Sequence, residues 1–139
     1  MRRTIVGLIL LCSILSGCQP RPAVLLDNHT LAVEIVDTPE KRTQGLSNRS
    51  SLPENTGMLF VFTDYRQRNF WMKEMQFPID MIWISDAQVV GIQKNVPIPT
   101  SSQLLIYTSP EAVNYVVEVN AGWAEQHEIF VGSSFQLLN

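Results

Sequence analysis

The sequence contains two cysteines in 139 residues, Cys12 and Cys18, and none after them. From Gln19 onward a disulfide, a cysteine nucleophile and a thiolate zinc site are excluded. Histidine is as scarce. His29 and His127 stand far apart without local ligand spacing, so no metal site is expected. The chain has no Gly-rich phosphate loop, nucleophile elbow or His-based triad motif, and no cofactor is expected. Positive charge is also short. The net charge is −3, and no basic run or Arg/Lys stripe offers the footprint a nucleic acid requires.

What is present begins with a leader. Met1-Arg2-Arg3 is a positive n-region, and Ile5 to Leu15 is an apolar run of about eleven residues. A membrane span needs roughly twenty, so the run reads as a secretory h-region. It ends in Leu15-Ser16-Gly17-Cys18, which resembles the bacterial lipobox. That resemblance implies lipid on Cys18 and cleavage before it. Two or three acyl chains anchor a protein stably where one is marginal. The expected location is the periplasmic face of the cell envelope. Gln19 after the cysteine favours the outer membrane if the organism is double-membraned. Loss of Arg2 and Arg3 with the leader leaves 8 basic against 13 acidic residues, a net charge of −5.

Gln19-Pro20-Arg21-Pro22-Ala23 is Pro-rich and is expected to be extended. The chain thus divides into a leader at 1–17, a lipidated cysteine and tether at 18–26, and one domain at 27–139. About ten tether residues at roughly 3.3 Å each hold that domain within about 30 Å of the bilayer.

Leu31, Val33 and Ile35 alternate with Ala32, Glu34 and Val36, which predicts a strand with one strongly apolar face. Thr38 as N-cap, Pro39 at the first helical position and Gly45 as C-cap predict a short helix. Leu46 to Thr56 reads as a polar loop. Strands are predicted over Gly57–Phe62, Arg66–Met75, Ile79–Ser85, Val89–Asn95, Leu104–Thr108, Ala112–Val119 and Phe135–Leu138, with a second short helix within Ala121–His127. Many short strands and two short helices predict a mostly β (β-rich α+β) domain, rolled into a barrel-like shape that limits exposed edges.

A set of local patterns resembles the bacterial and archaeal domain-of-unknown-function family 192. The matching pieces are Thr38-Pro39-Glu40-Lys41-Arg42-Thr43-Gln44-Gly45-Leu46, Arg49, Gly57-Met58-Leu59-Phe60-Val61-Phe62, Phe70-Trp71-Met72-Lys73, Pro78-Ile79-Asp80-Met81, and Tyr115-Val116-Val117-Glu118-Val119 leading to Gly122. The resemblance implies a compact, β-rich, commonly exported domain and brings no reaction with it. Two departures stand out. Ser47 follows Gly45-Leu46 where the family usually has Met, and Glu74-Met75 follows Lys73 where it usually has Asn-Thr.

The candidate site residues are charges on apolar elements. Lys73 is placed on one strand face with Trp71, and Asp80 shares a side with Ile82 and Ile84. If those isoleucines face the core, Asp80 needs a partner, and Lys73 and Arg49 are the candidates. Such a pair fixes a bend between strands or forms the polar floor of an aromatic cleft. Arg49 could clamp a carboxylate or phosphate through its planar fork. Glu118 is expected to point inward near one barrel end, and with Asp80 it could form the carboxylate pair of a glycosidase. Trp71, Phe70 and Trp83 could stack on a flat ligand or fill the core. The leading expectation is a non-enzymatic, membrane-tethered module. It binds a small polar ligand or envelope partner through Arg49, Trp71, Lys73, Asp80 and Glu118. The alternatives are a carboxylate-based hydrolase of envelope glycan and a structural interaction module.

Overall fold

A computed structural model of the chain describes residues 21–101 and 103–138. The leader, the Cys18 lipidation site and the first tether residues lie outside them. The elements run β1 (Ala23–Leu26), β2 (His29–Val36), α1 (Pro39–Gln44), β3 (Thr56–Arg66), β4 (Asn69–Trp71), β5 (Ile79–Ser85), β6 (Gln88–Val96), β7 (Ile106–Thr108), β8 (Val113–Asn120), α2 (Trp123–Gln126) and β9 (Phe135–Leu138). Ala23 to Leu26 therefore belongs to the sheet. It pairs with both β2 and β9, where a tether was expected, and the Pro22 carbonyl before it accepts from Val33 N–H.

Seven strands form one sheet in the order β6-β5-β8-β3-β2-β1-β9, curled into a half-barrel. The curl brings its two edges together at one end. Gln88 bridges to Ser134, and Val89 N–H and Phe135 N–H donate across to the Ser133 and Ala87 carbonyls. Most pairings are antiparallel. The exception is β2 with β3, joined by the crossover that carries α1. That helix forms where its signals predict: Thr38 accepts from Lys41 N–H, Pro39 opens the first turn, and Gly45 closes it at φ 48°. A Cβ at Gly45 would meet the Phe60 ring at 3.4 Å, an ordinary contact, so it is the positive φ that favours glycine there.

The predicted strand over Arg66–Met75 is a correction. Only Asn69 to Trp71 is extended, and it pairs with β7 as a two-stranded ribbon beside the main sheet. The chain then turns, with Met75 N–H donating to the Met72 carbonyl and Glu74 at φ 57°. Lys73 thus sits in a turn, off the Trp71 strand.

Alternation along the strands gives the sheet two cores. On one face Leu59, Ile82, Ile84, Val117 and Val119 pack with β1, β2 and Trp123. On the other, Met58, Phe60, Met81, Trp83 and Val116 pack under the ribbon, with Leu46, Met72 and Met75. The central strands β5 and β8 are buried on both faces. A polar side chain on either strand is therefore cut off from water unless a cavity reaches it.

Candidate functional site

A cavity of about 300 Å³ lies between α1, β4 and the second-core face of the sheet. That is the lower end of the range for small-molecule sites. Phe60 and Phe62 line it from β3, Phe70 and half-exposed Trp71 from β4, and Met75 from the following turn. Edge-on contacts from Phe70 to Phe60 at 4.8 Å and to Trp83 at 5.3 Å hold this wall in place. The helix side contributes Arg42 and Gln44, then Gly45 and Ser47 beyond the helix end.

Glu118 reaches this cavity from the middle of the sheet. It is 5% exposed, with Met58 and Met81 as its cross-strand neighbours. Among the described residues nothing hydrogen-bonds its carboxyl. Burial pushes its pKa from 4.5 up to about 8, so the free protein holds it protonated at neutral pH. The cavity gives its oxygens access that the sheet does not, whereas the one fully enclosed side-chain atom without a partner among the described residues is Trp123 Nε1 on the other face. A perturbed carboxyl in a cleft marks a functional candidate.

Asp80 is placed differently. It does share the Ile82 and Ile84 side, and it is fully buried. Its partners are neither Lys73 nor Arg49. Oδ1 accepts from Asn95 N–H at 2.7 Å and Gly122 N–H at 3.2 Å, and Oδ2 accepts from Ala124 N–H at 3.0 Å. Asp80 thus ties the end of β6 and the start of α2 to β5 and has no part in the cavity. Cross-strand partners share a face. Asp80 is opposite Val119 while Glu118 is opposite Met81, so the two acids point to opposite faces of the sheet. That geometry removes the proposed glycosidase pair, which must flank one bond from one side.

Arg49 also lies outside the cavity. Its fork binds Glu34 of β2, Nη1 to Oε2 at 2.7 Å and Nη2 to Oε1 at 2.9 Å. Each partner shifts the other: the Arg49 hydrogen bonds lower the Glu34 pKa, and those to Glu34 raise that of Arg49. This is a strap between the loop and β2. Lys73 lines a neighbouring surface cavity with Glu40, Glu74 and Trp71. Of the five expected residues, then, Trp71 and Glu118 share this cavity, Lys73 lines its neighbour, and Arg49 and Asp80 are elsewhere.

The sequence reading missed Arg42, Phe60, Phe62 and Met75. Arg42 Nη1 donates to the Asp37 carbonyl at 2.6 Å and the Val61 carbonyl at 2.8 Å, and its guanidinium lies 5.0 Å from the Phe62 ring centroid. Arg68 lies over the same ring at 3.9 Å. A usable signal was present: Met58, Phe60 and Phe62 alternate on one strand, within a run shared with the family. Both departures from the family pattern fall here too. Ser47 lines the cavity and donates through Oγ to the Lys73 carbonyl at 2.9 Å. Met75 lines it where Thr is usual. Glu74 adopts a left-handed conformation that suits the usual Asn better, and it accepts from Asn48 through its carboxylate and its carbonyl.

The sequence model of the DUF192 family, described as an uncharacterised ACR, matches residues 23–137. No curated protein matches the chain. Crystal structures that share the fold include the following two. One is a protein of Sinorhizobium meliloti described as a supposed transcription regulator. It is 34% identical with a TM-score of 0.77, and the match covers 84% of this chain and 92% of that one. The other is a Novosphingobium aromaticivorans protein of unknown function. It is 25% identical with a TM-score of 0.73, and the match covers 82% and 83%.

Proposed function

The chain belongs to the DUF192 family, and from that premise we propose that it is a lipid-anchored envelope protein that binds a small ligand in the Glu118 cavity without converting it. One observation carries the reading: a buried carboxyl with no partner among the described residues, at the sheet side of an aromatic cavity. α1, the ribbon and the sheet together form the cavity walls. The lipobox-like Leu15-Ser16-Gly17-Cys18 supports the anchor, with the periplasmic face of the envelope as the working location and the outer membrane in a double-membraned host. The description of the S. meliloti relative does not extend to DNA binding here, because a net charge of −3 with no basic stripe opposes it.

The test is native mass spectrometry of the chain as purified from envelopes. Wild type is expected to retain or acquire a small-molecule adduct that the Phe70→Ala/Trp71→Ala double variant does not. An adduct equally abundant in the variant, or no adduct from any envelope extract, would defeat the reading. Fractionation of Cys18→Ala tests the anchor separately. The variant should leave the membrane, and unchanged association contradicts lipidation.

A further inference from the structure

The cavity has a chemical bias that narrows its ligand. Several of the donors around its helix side are already used by the protein. Arg42 Nη1 is held by the Asp37 and Val61 carbonyls, Thr43 Oγ1 donates to the Pro39 carbonyl, Gln44 Nε2 to the Ser47 carbonyl, and Ser47 Oγ to the Lys73 carbonyl. Thr43 and Ser47 keep hydroxyl lone pairs and Gln44 its amide oxygen, while Arg42 keeps its Nε and Nη2 donors and Asn69 its amide N–H groups. The floor is a carboxyl, and the walls are aromatic rings and the Met75 thioether. Ring faces attract cations, and Phe62 already carries two guanidinium groups.

We infer that the cavity takes a small organic ammonium ion, its N–H groups on the Glu118 carboxylate and its carbon body among Phe60, Phe70 and Trp71. The inference rests on the cavity being a ligand site, as proposed above, and adds the class of ligand. A primary or secondary amine supplies what Glu118 lacks: a positive charge and hydrogen-bond donors inside a confined cavity. The proton on the free Glu118 carboxyl leaves to solvent as the cation enters, so charge balances inside the cavity. The acidic mature domain also favours the approach of a cation.

The other charged groups near the site have been placed. Arg42 on α1 lines the cavity with a fixed positive charge, its Nη1 turned to the Asp37 and Val61 carbonyls, and the shift of Glu118 has burial as its cause. Arg68 lies against Phe62 and is paired with Asp64 at 2.7 Å. Lys73, Glu40 and Glu74 stand at the outer rim. No charged residue of β3, β4 or β5 lines the cavity. Glu118 therefore sets the pH dependence.

The experiment is titration calorimetry of the full-length chain with butylammonium chloride, butan-1-ol and tetramethylammonium chloride. Because only the ionised carboxylate binds, butylammonium affinity should tighten about 50-fold from about pH 6 to about pH 8. At about pH 7 each binding event should release close to one proton, read from enthalpies in buffers of different ionisation heat. Butan-1-ol lacks the charge and tetramethylammonium lacks the N–H groups, so both should bind at least about tenfold more weakly at about pH 8. Glu118→Gln should abolish the pH slope and the preference for butylammonium. The proton count on wild type needs no variant.

A pH-independent affinity, or one that weakens as pH rises, would overturn the inference. Butan-1-ol binding as tightly as butylammonium, with the Trp71 indole signal moving in both cases, would overturn the ligand class and leave the cavity as a ligand site. No movement of that signal with any probe at high concentration would overturn both.

Discussion

The molecule buries two carboxyls in neighbouring strands and treats them in opposite ways. Asp80, on one face of the sheet, accepts three backbone N–H groups. Glu118, one register step away on the other face, accepts none among the described residues and opens to a cavity. Burial alone therefore does not separate an acid that ties the fold together from one that faces a cavity; the partners do. Hydrogen bonds from amides stabilise a charged carboxylate and fix the chain around it, whereas desolvation without partners keeps a carboxyl neutral and available.

The comparison can be broken at several points, and the largest effect is expected at Asp80. Asp80→Ala leaves three buried N–H groups without acceptors and should cost more than about 3 kcal/mol in urea unfolding. A cost below about 1 kcal/mol would remove its structural role.

Glu118 should behave in the reverse sense. Its folded pKa of about 8 lies above the ordinary 4.5, so the folded chain holds more protons than the unfolded chain between those values. The stability from this group is fully present below about pH 4.5 and is lost as pH rises through about 8. Within the window the slope is about −1.4 kcal/mol per pH unit. Glu118→Gln should flatten that slope, and at about pH 8 the variant should be more stable than wild type by about 1 kcal/mol or more. A variant that is less stable at every pH would mean that Glu118 has partners after all.

Gly45→Ala should cost about 1 kcal/mol, through its positive φ. It should also disturb the aromatic wall, read as a shift in the Trp71 fluorescence that the distant Arg49 change does not produce. The smallest effect is expected at the Arg49–Glu34 strap. Both side chains are substantially exposed, at 38% and 53%, so Arg49→Ala should cost at most about 1 kcal/mol and leave ligand binding intact. Lost binding in that variant would return Arg49 to the site.

Local features were readable from the sequence and long-range ones were not. The ends of α1 follow from Thr38, Pro39 and Gly45, each acting within a few residues. The side shared by Asp80, Ile82 and Ile84 follows from strand alternation alone. The relation of Asp80 to Glu118 depends on the pairing of strands almost forty positions apart, which no local pattern encodes. The partners of Asp80 are backbone amides, which leave no trace in residue types. Lys73 was misplaced because the Met72–Met75 turn forms inside a run that reads as continuous strand; the sign of its break was that the family usually has Asn where Glu74 now adopts the left-handed conformation. The departures at Ser47 and Met75 acquire meaning only once the fold places both in one cavity.

The most direct test is carbon-13 NMR titration of the Glu118 side-chain carboxyl in the ligand-free chain, assigned with Glu118→Gln. A midpoint near 8 is predicted, moving downward when butylammonium is added. A midpoint near the ordinary 4.5 would show a carboxylate that is hydrated or paired in the folded protein, and would contradict the account.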